Sequence, residues 1–210
     1  MTTTASELQR TLSAICLLLS PIIWMIAEIL RYNAPITAYI WSGVLSLVWV
    51  ALSLQVILGL RHLLHFRSPR LAVYGCGLAL ILTIFATGIW SLYLINWSLL
   101  PDTAAAEAVE RAAFAKLFFV FFVPGLIYPI CRAVIGIGLW WAGVVPTWVG
   151  LLMAIGYLLI PMGRLPHIPP LIYLSSILLL LAEGWLGWKI LTQKSFWGRN
   201  EVQNEKSSAS

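Results

Sequence analysis

Four side chains carry the chemistry this sequence could perform: Arg132, Glu183, Gln55 and Tyr128, each a polar group set in an otherwise apolar stretch. Such groups are costly in hydrocarbon, so they are expected to turn inward and to mark functional contacts. At a rise of about 1.5 Å per residue, Arg132 lies roughly 13 Å in from Trp141 and Glu183 roughly 9 Å in from Lys189. Neither has an opposite charge three or four residues away on its own helix. The cheapest arrangement is an ion pair between two spans. Gln55 reaches a similar depth, and Tyr128 stands one turn before Arg132 on the same face. Two readings stay open: a polar clasp that fixes helix order, or a ligand-binding or catalytic site.

The remaining candidates are weaker. Glu28 lies within a turn of Arg31, which favours a local ion pair. His62 and His65 share a helix face but sit among arginines, where an interfacial, phosphate-facing role fits better than a metal site; His167 is a loop residue between prolines. Cys16, Cys76 and Cys131 fall in apolar segments and read as core residues, so no metal site is expected. No lysine lies at hydrocarbon depth to form a retinal Schiff base, and no histidine lies there to ligate haem; no cofactor is expected. H-E-x-x-H and G-x-S-x-G are both missing. In the run Phe118 to Arg132, Pro124 and Pro129 free the carbonyls of Val120 and Gly125, as in interrupted helices that line polar cavities.

The elements that must position these residues follow from composition. The chain has 210 residues, 60% of them hydrophobic and 10% charged, with a mean hydropathy of +0.90. A water-soluble globular protein is nearer half apolar and a quarter charged. At roughly 20 residues per crossing the length holds about six helices and no separate soluble domain. The expected fold is therefore all-α, a six-span membrane bundle over residues 1–198, with spans at about 11–30, 36–60, 71–95, 117–141, 144–160 and 171–190. Ser6-Glu7-Leu8-Gln9 has the form of a capping box opening the first span, which is too long for a cleaved signal peptide. Pro101 to Lys116, with Glu107 and Arg111 four apart, predicts a short surface helix in the one long loop. A tight turn is expected near Gly143. Pro161 to Pro170 is too rich in proline to be helical, and residues 199–210 read as a polar, disordered tail.

The net charge of +5 is to be read by position. With both termini cytoplasmic, Arg10, Arg61, Arg67, Arg70, Lys189, Lys194, Arg199 and Lys206 lie inside, against Arg31, Arg111, Lys116 and Arg164 outside. Trp41, Tyr93 and Trp97 then mark the outer interface, and Trp140, Trp141, Trp148 and Trp188 the inner one. Pro69-Arg-Leu-Ala-Val-Tyr-Gly and Pro146-Thr-Trp-Val-Gly-Leu-Leu both open a span after a cytoplasmic turn, a hint of two related hairpins.

The run Arg132 to Arg164 joins a Gly-rich span, a Val145-Pro-Thr-Trp148 turn and a Pro161-Met-Gly-Arg164 loop. In that order these resemble bacterial multi-pass membrane families of the domain-of-unknown-function type, over about the last third of the chain. The resemblance implies a bacterial plasma membrane and no particular activity. The leading expectation is a non-enzymatic protein of the lipid bilayer that binds or passes a small or lipid-like molecule, or serves as an accessory subunit. Its polar site would lie in the cytoplasmic half around Arg132, Glu183, Gln55 and Tyr128. The alternative is a membrane enzyme acting on an isoprenoid-like substrate, with Glu183 as the acid and tryptophans lining a cationic path. No nucleic-acid role is implied.

Overall fold

In a computed structural model the described residues are 5–33, 36–99, 118–164 and 168–198, with a few isolated positions between 104 and 116. Among them are six long helices and no strand: α1 Ala5–Asn33, α2 Ile36–Leu64, α3 Cys76–Leu99, α4 Phe118–Trp141, α5 Thr147–Arg164 and α6 Pro169–Thr192, followed by a short α7, Lys194–Gly198. Five are long and apolar enough to cross a membrane. The sixth, α4, is 24 residues with Arg132 as its one charge. The chain is an all-helical, multi-pass membrane bundle.

Each helix packs against the next, and α6 returns to α1, so the six close into a ring. The pattern on α1 shows why. Ser13, Leu17, Ser20, Trp24, Ala27 and Glu28 form its buried stripe, while Leu8, Leu12, Ile15, Leu19, Ile26 and Ile29 are exposed. A helix in lipid reverses the usual amphipathic rule, because the bilayer accepts apolar side chains and rejects polar ones. On α6 the same logic buries Ser175, Ser176, Glu183 and Gly187 and leaves Leu174, Ile177, Leu181 and Trp188 outside.

Two contacts decide how closely the helices around the ion pair approach. A Cβ added at Gly150 would stand 2.6 Å from Trp140 Cβ and 2.8 Å from the Gly136 carbonyl oxygen, so α4 and α5 meet backbone to backbone there. A Cβ at Gly187 would stand 2.7 Å from the Ala14 carbonyl oxygen, which places α6 equally close to α1. With little hydrophobic drive between helices in lipid, such small-residue contacts supply the packing.

Several expectations are corrected. Both ends of the segment from Pro161 to Pro170 are helical: α5 runs through Pro161 to Arg164, and α6 begins at Pro169, with 165–167 outside the described residues. Pro161 sits in the last turn, where its lost amide bond costs little downstream, and Pro169 and Pro170 occupy the first positions of α6, whose amides need no helical partner. Helix α1 is already under way at Ala5, so Ser6 lies within it and does not cap it. The third span opens with a π-helical turn, Leu71–Gly75, ahead of Cys76. The turn after α4 is where it was expected, with Gly143 at φ 62° and Arg67 Nη1 donating to the carbonyls of Ala142 (2.9 Å) and Gly143 (2.7 Å). The expected surface helix around Glu107 and Arg111 and the tail 199–210 lie outside the described residues.

Helix α7 was not anticipated. Its Trp197 is 2% exposed and stacks on the His62 ring at 4.2 Å, closing the end of the bundle where the first and last helices meet. Lys194 Nζ pairs there with Glu7 at 3.2 Å, so residues near the two ends of the chain share one face of the molecule.

Candidate functional site

Arg132 and Glu183 meet. Arg132 Nη2 on α4 donates to Glu183 Oε1 on α6 at 2.7 Å, with side chains 0% and 1% exposed. Tyr157 on α5 joins them: its hydroxyl donates to the same Oε1 at 2.5 Å and accepts from Arg132 Nη2. The guanidinium also lies over the Tyr157 ring, 4.7 Å from its centroid. Three adjacent helices thus contribute one residue each to a buried triad. The Gly136–Gly150 contact lets α4 and α5 approach closely enough for the arginine to reach the tyrosine.

The triad satisfies only one edge of the arginine. Arg132 Nε and Nη1 are buried without a hydrogen-bond partner, as are Tyr128 Oη and Ser53 Oγ. Tyr128 lies within electrostatic reach of Arg132, and its hydroxyl faces Ser53 on α2 and Thr83 on α3 without meeting hydrogen-bond geometry to either. Thr83 donates to the Ala79 carbonyl at 2.7 Å and keeps its oxygen lone pairs as acceptors. Two unpartnered guanidinium nitrogens and the facing hydroxyls of Tyr128 and Ser53 thereby lie at the buried ion pair. Each carries a desolvation penalty of about 1–3 kcal/mol, more for the charged group.

Of the residues singled out in the sequence, Arg132, Glu183 and Tyr128 come together. Gln55 serves the contact between α1 and α2, where its Nε2 donates to Ser13 Oγ at 3.1 Å. Tyr157 went unnoticed because a tyrosine in an apolar span passes for packing. One signal could have found it: it stands nearly as far from the start of α5 as Arg132 does from the end of α4, at the same end of the bundle. Cys76 is fully buried, with Arg132 and Arg61 among its charged neighbours.

A second polar group occupies the opposite end. Glu28, fully buried on α1, reaches across the bundle to Arg164 Nη2 on α5 at 3.0 Å, a partner its local sequence does not suggest. Between the two groups runs an aromatic series with one ring from each of five helices. Trp90 on α3 meets Trp24 on α1 at 6.4 Å, and Trp24 meets Trp49 on α2 at 4.4 Å. Trp49 meets Tyr128 at 6.0 Å, and Tyr128 meets Tyr157 at 6.5 Å. Aromatic rings in edge and face contact thus connect one ion pair to the other.

No family model, curated protein or solved structure matches the chain, so the meaning of the site rests on its own geometry.

Proposed function

We propose that this protein binds a small, lipid-like molecule through a hydrogen-bond-accepting headgroup at the Arg132 layer. The observation that carries the reading is the unpartnered edge of Arg132, Nε and Nη1, with the Tyr128 hydroxyl near it. A buried polar group without a partner points to a missing one. Because Glu183 already balances the arginine's charge, the group that completes the layer is a neutral or singly charged acceptor: a carbonyl, an ether, a hydroxyl or a carboxylate. The aromatic walls suit the apolar remainder of such a molecule.

The catalytic alternative gains less support. Glu183 Oε1 is already engaged by Arg132 at 2.7 Å and by the Tyr157 hydroxyl at 2.5 Å, an arrangement that suits an anchor. The charge distribution supports a plasma-membrane setting, as the resemblance to bacterial families does, with the triad in the cytoplasmic half and both termini cytoplasmic.

The experiment is a thermal-shift series on the detergent-solubilised protein with three probes of equal chain length: a fatty acid, its methyl ester and the alkane. The acid or the ester should raise the melting temperature and the alkane should not, and the response should vanish in Arg132→Gln. Equal responses to all three probes, or a response that survives the substitution, would overturn the proposal.

A further inference from the structure

The group at the end of the bundle opposite the termini has the parts of a separate site. Glu28 is fully buried, and its Oε2 has no hydrogen-bond partner. Trp24, 1% exposed, stands one helical turn before Glu28, and its Nε1 is likewise unpartnered. The Arg164 guanidinium lies against two indoles that meet each other edge to face, 5.1 Å from the Trp24 centroid and 4.7 Å from that of Trp90, with its Nη2 on Glu28 Oε1. A carboxylate beside two aromatic walls, with a cation held against both, is the kind of arrangement by which proteins hold organic cations.

The cation seated there belongs to the chain itself, and it is the least anchored member of the group. Arg164 is the last residue of α5, and its side chain is 29% exposed while Glu28 beneath it is 0% exposed. We propose that Glu28, Trp24 and Trp90 form a binding site for an organic monocation, with Arg164 as an internal stand-in that an external ligand displaces. Arg31 limits the ligand's charge. Its guanidinium lies 5.5 Å from the Trp90 centroid, and Arg31, Arg164, Glu28 and Tyr173 all lie within electrostatic reach of Tyr32. Once Arg164 leaves, Glu28 and Arg31 together carry no net charge. A singly charged, weakly hydrated ammonium or guanidinium is therefore accepted and a polycation is not. The site shares no hydrogen-bonding residue with the Arg132 layer and stands or falls independently of it.

The test uses tetramethylammonium and methylguanidinium as probes, with sodium chloride at matched ionic strength as the control, on the full chain in nanodiscs. Tryptophan fluorescence reports binding, with loss of the change in Glu28→Gln assigning it to this site among the eleven tryptophans, and the melting temperature reports stabilisation. In the wild type the probes compete with Arg164 and give a weak, saturable change in fluorescence. In Arg164→Ala they should bind about tenfold more tightly, matching the loss of a competitor worth about 1.4 kcal/mol, and restore melting temperature lost by the substitution. Adding Glu28→Gln to Arg164→Ala should abolish both effects. Because removing the arginine can itself impair folding, Arg164→Gln, which keeps a neutral donor for Glu28, is measured in parallel with the same expectation. Equal affinity in the wild type and the Arg164 variants would overturn the proposal, as would binding that survives Glu28→Gln or a wild-type response no different from sodium chloride.

Discussion

Arg132 and Glu183 are buried so deeply that the value of their pairing lies mainly in what happens when one is lost. Arg132→Gln and Glu183→Gln should each cost about 3–5 kcal/mol, because each leaves an uncompensated charge among apolar neighbours. The double substitution should cost clearly less than the sum, since both charges then disappear together. Thermal or denaturant unfolding of the four proteins measures the coupling; additive, small effects would show that the pair contributes nothing. Tyr157→Phe removes a hydroxyl that bridges both partners and should cost about 1–3 kcal/mol in the same assay. The pair was legible in the sequence because charges at matching depth, without partners on their own helices, have few ways to be neutralised. Tyr157 was not, since a phenol is mostly apolar and its single polar atom announces nothing. Gln55 shows the limit of depth alone: it reaches a level close to the pair, yet its helix turns it toward Ser13.

At the scale of the helix, closeness of approach decides whether those side chains meet. Gly150→Ala places a methyl group 2.6 Å from Trp140 Cβ and 2.8 Å from a carbonyl oxygen of α4, neither of which can swing aside. Overpacking of this kind costs about 1–3 kcal/mol, and because it separates α4 from α5 it should also weaken the contact of Arg132 with Tyr157. Gly77→Ala is the control: nothing lies within 4 Å of the added atom, and loss of backbone freedom in the unfolded chain should make it neutral or slightly stabilising. Melting temperatures of the two variants give the comparison. Most helix ends lie within about a turn of where the apolar runs place them, since long apolar runs admit few alternatives, while α1 is already helical six residues before its expected start. The Pro161 to Pro170 segment was misread because proline density suggests a loop, whereas proline in a last turn or at a helix start is compatible with helix. The π-helical turn at Leu71–Gly75 and the docking of α7 have no pattern in the sequence, because both depend on what packs against them.

For the whole molecule, a ring of six antiparallel spans places the Arg61 to Arg70 connection and the residues near both termini at one end, and the positive charge concentrated there favours that end as cytoplasmic. In a cysteine-free background, a single cysteine at position 65 should resist an impermeant thiol reagent added outside intact cells and react once the membrane is opened. Labelling from outside would reverse the orientation.

Native mass spectrometry of the gently extracted protein shows whether the unpartnered edge of Arg132 receives an acceptor-bearing, lipid-like molecule. The wild type should retain a small molecule that carries a carbonyl, ether, hydroxyl or carboxylate group, and the charge-neutral double variant Arg132→Gln, Glu183→Gln should emerge without it. A wild type that emerges bare, or a double variant that retains the same molecule to the same extent, would contradict the account.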